Sequence, residues 1–134
     1  MTRKDEVGTR NLEEITWDDL KRYDMFDLSH LIWRAGLEFN EAQAQARQLE
    51  KSEKAIIAKL TRQRQNDNPE WGYNTARADA LLDPEWETWK EGFCAAKEIR
   101  DHKKLIQEKI KNIFWARSGK EANVRTDKKF TGGV

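Results

Sequence analysis

Apolar residues recur along two long stretches of the chain in steps that alternate four and three. In the first stretch they are Leu28, Ile32, Ala35, Phe39, Ala42, Ala46, Leu49, Ile56 and Leu60, with Glu53 as the one polar interruption. In the second they are Trp86, Trp89, Phe93, Ala96, Ile99, Ile106, Ile110 and Ile113, with Lys103 as the exception. A seam of this period is the pattern of a helix that lays a narrow apolar stripe against a partner helix. The first long helix is expected to begin near Asp27 and to fray at Gln65-Asn66-Asp67-Asn68-Pro69, a polar run ended by proline. The second is expected over about 84–117, opened by Asp83 as N-cap and Pro84 at the first helical position, and closed by Ser118-Gly119 with the glycine as C-cap.

Shorter signals fill the rest. Thr16-Trp17-Asp18-Asp19 reads as a capped helix start and predicts a short helix over 17–23, because a threonine hydroxyl takes a free N–H and the aspartates suit the positive end of the helix dipole. Residues 69–84 form a connector in which Thr75 is expected to cap a short helix, Ala76 to Leu82. Residues 1–15 are polar and aperiodic, which predicts a flexible N-terminal arm. Residues 119–134 are expected to form a flexible tail, leaving 16–118 as the helical domain. The resulting fold class is all-α: an antiparallel helical hairpin of two long helices with a short N-terminal helix, completed by oligomerisation because the stripes are thin.

Composition narrows the picture. The chain has 134 residues, 37% of them charged, and its mean hydropathy is −0.98. Such a sequence supports one domain with a thin core. The net charge is only +1, but it is distributed in blocks: −4 over residues 1–41, +4 over 47–64, −5 over 66–91 and +5 over 97–120. The acidic and basic blocks can neutralise one another within the protein, or the basic ones can stay free for a polyanion. No apolar run approaches a membrane span, and the charged start Met1-Thr-Arg-Lys-Asp-Glu has no apolar signal region, so a cytoplasmic protein is expected, in the host cytoplasm if the gene is a phage's.

Signals for chemistry are sparse. His30 and His102 have no partner at metal-binding spacing, and the seven glycines are scattered and make no phosphate loop. Cys94, the single cysteine, reads as a small buried thiol, since His102 lies eight residues away, about 12 Å along a helix. No catalytic group, metal or cofactor is expected, and the chain reads as a non-enzyme. The positive signal is cationic. The end of the first long helix carries Lys51, Lys54, Lys59, Arg62 and Arg64, and the second helix carries Lys97, Arg100, Lys103, Lys104, Lys109, Lys111 and Arg117. Cations of this density neutralise phosphates and release counterions. The DNA-binding candidates are Lys54, Lys59, Arg62, Arg64, Lys103 and Lys104. Trp71, Tyr73 and Trp115, which fall off the seams, are candidates for stacking on unpaired bases, whereas Trp33, Trp86 and Trp89 are expected in the core. The plain counter-reading is a solvated helix face laced by pairs such as Lys97/Asp101 and Lys104/Glu108.

The stretches Glu41-Ala-Gln-Ala-Gln-Ala-Arg47, Lys54-Ala-Ile-Ile-Ala-Lys-Leu-Thr-Arg62, Ala78-Asp-Ala-Leu-Leu-Asp-Pro-Glu-Trp86 and Ala95 to Ile113, in that order, resemble the UvsY-type recombination mediators of tailed phages. The resemblance covers about 40–118 and contains no invariant motif. It implies a ring of six or seven subunits that binds single-stranded DNA, and that helps a RecA-like recombinase load on strands held by a single-strand-binding protein. In that family a Lys-x-Arg pair on the first long helix contacts DNA. Lys59 matches the lysine, Thr61 stands where the arginine would be, Arg62 follows one residue later, and Lys54 is expected on the same face. The alternative is a protein-interaction module, such as a phage inhibitor of a host defence or nuclease complex, whose acidic connector imitates nucleic acid.

Overall fold

The structure is a computed structural model that describes residues 7–132, with side chains described through Lys120. A 3-10 turn at Leu12–Glu14 is followed by four helices: α1 (Trp17–Arg22), α2 (Met25–Asp67), α3 (Tyr73–Ala80) and α4 (Pro84–Gly132). No strand occurs among the described residues, and the all-α class holds. Two compact units can be distinguished, one of residues 1–39 with 102–134 and one of residues 40–101. In each, a part of α2 packs antiparallel against a part of α4.

Helix ends follow local chemistry. Thr16 and Asp19 form a reciprocal capping box: the Asp19 N–H donates to the Thr16 hydroxyl and the Thr16 N–H donates to the Asp19 carboxylate. The Thr16 N–H bond, and next the bond from the Arg22 guanidinium, hold the Asp19 carboxyl at about 2, against 3.8 ordinarily. Asp24 and Asp27 repeat the device at the start of α2, two residues earlier than expected, with the Asp27 N–H donating to Asp24 at 2.8 Å. Asp83 caps α4 as anticipated, accepting from the Glu85 N–H at 2.8 Å. The connector helix starts at Tyr73 rather than Ala76, with Gly72 at its N-cap and no side-chain cap bond.

In the first unit the core joins Leu20 from α1 and Tyr23 at its C-cap to Leu28, Leu31 and Ala35 from α2 and Ile110 from α4. Val7, Leu12 and Ile15 are buried in it as well. Residues 7–15, expected as part of a loose arm, are thus pinned by three apolar side chains, and Arg34 reinforces them by donating to the carbonyls of Val7 and Arg10. Residues 1–6 lie outside the described residues. At the other end α4 passes through Ser118-Gly119 and continues to Gly132, where a stop and a tail were expected. No glycine among the described residues adopts positive φ, so Gly119 does not make the left-handed turn that a C-cap glycine supplies. Residues 133–134, and the side chains from 121 onward, lie outside the description.

In the second unit Leu60, Ala80, Trp86 and Trp89 form the core, with Leu49, Ile56, Leu81 and Phe93 packed against it. Trp86 stacks on Trp89 at 4.8 Å and Trp89 on Phe93 at 5.3 Å. The α2 seam points inward along its whole length. The α4 seam does so except at Ile99, which is exposed. Trp33, assigned to the core from sequence, is also exposed, because it lies on the side of α2 away from the buried Leu28, Leu31 and Ala35.

Candidate nucleic-acid interface

The cationic candidates separate into two groups once the carboxylates are placed. Lys59 bonds Glu85 at 2.8 Å. Arg64 bonds Asp79 at 2.7 Å and Asp83 at 2.5 Å, which raises the arginine further and lowers Asp83. The Asp83 shift owes most to the Glu85 N–H bond and next to Arg64. Lys103 bonds Glu13 at 3.2 Å and Glu38 at 3.1 Å; burial pulls its affinity for a proton down, and the two carboxylates outweigh that and raise it. Half of the set predicted from sequence is therefore neutralised by the chain itself, mostly by the acidic connector and the start of α4.

Lys54, Arg62 and Lys104 are exposed, and none of them enters an ion pair among the described residues. Lys54 and Arg62 belong to a longer row. Arg47, Lys51, Lys54, Ala58 and Arg62 follow one another on α2 at steps of four, three, four and four, which places them on one face of a helix. All five are exposed, and the four cations extend over about 22 Å of helix axis at 1.5 Å per residue. The opposite face of this part of α2 carries the buried Ala42, Ala46 and Leu60. Glu50 stands one turn before Lys54 but forms no ion pair with it among the described residues. The row is a linear array of positive charge within the second unit, without an ion pair among the described residues. Sequence reasoning named Lys51 and did not single out Arg47; the i, i+4 step from Arg47 to Lys51 was the signal that could have found it.

Lys59 is not on this row: it points toward the start of α4. Thr61 is buried, and its hydroxyl donates to the Ile57 carbonyl at 2.7 Å. The position two residues after Lys59, where the mediator family carries an arginine, thus faces inward here. The two ion pairs expected on the α4 surface are absent from those of the described residues. Lys97 lies over the Phe93 ring at 4.5 Å, Asp101 accepts from Arg100, and Lys104 and Glu108 stay apart. Lys109 sits over Trp17, and Arg117 donates to the carbonyls of Leu20, Lys21 and Tyr23, so both serve α1.

Of the stacking candidates Tyr73 and Trp115 are exposed and Trp71 is half-buried. Cys94 is exposed, against the expectation of a buried thiol. Among the described residues no group of three His, Cys, Asp or Glu side chains is placed to hold a metal ion, and no helix is long and apolar enough to cross a membrane. A groove of about 290 Å³ lies in the first unit, its floor formed by Leu12, Ile15, Leu20 and Ile110, with Glu13, His102 and Lys109 also lining it. Glu13 there is already engaged with Lys103, and His102 lies 3.7 Å from it. No family model, curated protein or solved structure matches the chain.

Proposed function

We propose that this chain is a single-strand-binding protein without chemistry of its own, and that the Arg47–Lys51–Lys54–Arg62 face of α2 carries the phosphate backbone. The observation behind this reading is that face itself: four exposed cations in a row, none in an ion pair with a carboxylate of the described residues. A helix face needs charge only to stay soluble, and alternating signs do that at lower electrostatic cost. A row of one sign suits a polyanion, whose condensed counterions are released on contact. The sequence resemblance extends the proposal to a role: a homo-oligomeric recombination mediator that presents single-stranded DNA to a RecA-like recombinase in the presence of a single-strand-binding protein.

The competing idea, an acidic connector that imitates nucleic acid, draws less support. Asp79, Asp83 and Glu85 are bound to Arg64 and Lys59, which leaves Asp67, Glu70 and Glu91 as the acids of that stretch without an ion pair among the described residues.

The experiment is fluorescence anisotropy of a labelled oligonucleotide across a salt series. Four backbone contacts give a slope of log affinity against log salt of about −3 for a single strand. Replacing Arg47, Lys51, Lys54 and Arg62 together by glutamine is expected to abolish the slope and most of the affinity, with the helical signal in circular dichroism retained. Undiminished binding by that variant would sink the assignment.

A further inference from the structure

The cations of the α2 row meet phosphate, which single strands and duplexes share, so the row by itself does not select one over the other. Selection of an unpaired strand needs side chains on which free bases can stack. The first unit presents two such side chains on one side of its α2–α4 pair. Gly36 and Gln107 mark where that side begins: a methyl group on Gly36 would come within 2.9 Å of Gln107 Nε2. Trp33 is turned about 60° past Gly36 around α2, away from the buried Ala35. Lys111 and Trp115 are turned about 40° and 80° past Gln107 around α4, away from the buried Ile110. The helices run antiparallel, so Trp33, before Gly36, and Trp115, after Gln107, lie in the same direction from that contact, about 7.5 Å apart along the axes. Both indoles are exposed, Trp33 at 60% and Trp115 at 65%. Lys104 precedes Lys111 by seven residues and shares its face of α4. Glu108 stands beside them, and none of the three enters an ion pair among the described residues, so this face has a net positive charge. The N-terminal segment and α1 are held elsewhere: by Arg34 on α2, which donates to the Val7 and Arg10 carbonyls, and by Lys109 on α4, which lies over Trp17. Each of those side chains is about 160° around its helix from the Gly36–Gln107 contact. Phe26 and His30 line a cavity with Val7 and Gly8 and are not counted in the face.

We infer that Trp33 and Trp115 give this protein its selectivity for unpaired strands, each indole stacking on an exposed base. The inference rests on the proposed strand binding and adds to it the feature by which a single strand is told from a duplex. An indole accepts any base, so the preference is for unpaired bases and not for a sequence. Duplex bases are stacked on one another, and offering one of them to an indole requires taking it out of the stack. Lys104 and Lys111 keep the potential beside the rings positive, so an approaching strand is not repelled. Trp33 enters this assignment only through the fold: its sequence position suggested core, and its angle around α2 sets it on the same side as Trp115.

The test is anisotropy with one labelled oligonucleotide, as a single strand and as a duplex, for the wild type and for a Trp33→Ala, Trp115→Ala double variant. The double variant is expected to bind the single strand about tenfold or more weakly and the duplex as before, with the salt slope and the helicity by circular dichroism unchanged. The wild-type preference for the single strand is thereby lost. A Trp33→Phe, Trp115→Phe variant keeps a ring at each position and is expected to retain most of that preference. Irradiation of the wild type with a single strand that contains 5-iodouracil is expected to crosslink at Trp33 and Trp115, as mapped by mass spectrometry of the peptides. A wild type without preference overturns the inference, as does a double alanine variant that keeps the preference or loses affinity equally for both forms. Crosslinks confined to other residues overturn it as well. The outcome is separable from that of the proposed function. Undiminished binding by the four-glutamine α2 variant, with the tryptophan effect intact, sinks the phosphate assignment alone. Loss of binding in that variant, with a preference that tryptophan replacement does not move, sinks this inference alone. A wild type that binds neither form sinks both.

Discussion

The indole N–H of Trp89 on α4 donates to the backbone carbonyl of Leu49 on α2 at 3.1 Å, and the Ser52 hydroxyl shares the same donor at 3.0 Å. This bond ties an aromatic stack to a helix that already uses its carbonyls internally, and it sets the register of α2 on α4 in the second unit. Trp89→Phe keeps the ring stack and loses the bond; the expected cost is about 1 kcal/mol. Trp89→Ala also leaves a cavity between Trp86 and Phe93, for an expected loss of about 3–5 kcal/mol. Urea unfolding of the two variants checks the ordering.

Gly92 stands inside α4 with nothing within 4 Å of where a methyl group would be. Gly92→Ala is therefore expected to stabilise the protein by close to the full helix-propensity difference, about 1 kcal/mol. Gly36→Ala meets Gln107 at 2.9 Å, but the atom it meets is the end of a flexible side chain. Its expected gain is smaller and of the same sign. A melting temperature lowered by either alanine would contradict the helix packing described here.

Asp19 should contribute to acid sensitivity, alongside Asp83, whose carboxyl is also lowered. The Asp19 carboxyl is held at about 2 in the folded chain, below the ordinary 3.8, so the unfolded state binds its proton first as pH falls. The contribution to stability is complete above about pH 4 and is lost between there and about pH 2. Asp19→Ala removes half of the capping box and is expected to cost about 1 kcal/mol at pH 6. The gap between variant and wild type should close on titration to pH 2, as followed by unfolding curves at each pH.

Arg62 and Arg64 are two residues apart and are expected to behave oppositely. Arg64 holds Asp79 and Asp83 beside the connector, so Arg64→Ala should lower the melting temperature and leave most of the strand affinity. Arg62 bonds no carboxylate of the described chain, so Arg62→Ala should leave the melting temperature unchanged and weaken binding with a shallower salt slope. Melting curves and anisotropy on the same two proteins give the comparison.

Much of this fold was legible from period alone. The α2 seam, the Thr16 cap and the Asp83-Pro84 start each depend on residues within one or two turns, and each is found where the pattern placed it. What depends on distant residues was not legible. Val7, Leu12 and Ile15 lack periodicity because they enter the core from separate short turns, so their burial is set by α2 and α4 rather than by their neighbours. Trp33 is apolar and near a seam, yet its angle around α2 turns it outward. Charge blocks indicated that acidic and basic segments could meet. Which cations would meet carboxylates depended on the return of the connector onto α2, and so Lys59, Arg64 and Lys103 were counted with Lys54, Arg62 and Lys104.

The solitary thiol has a practical side. Cys94 is the chain's one cysteine and it is open to solvent, so a maleimide dye reacts at a single known position without any engineered substitution. Air oxidation can by the same token join two molecules through their sulfurs, and that covalent species would mimic genuine self-association in any measurement made without a reductant.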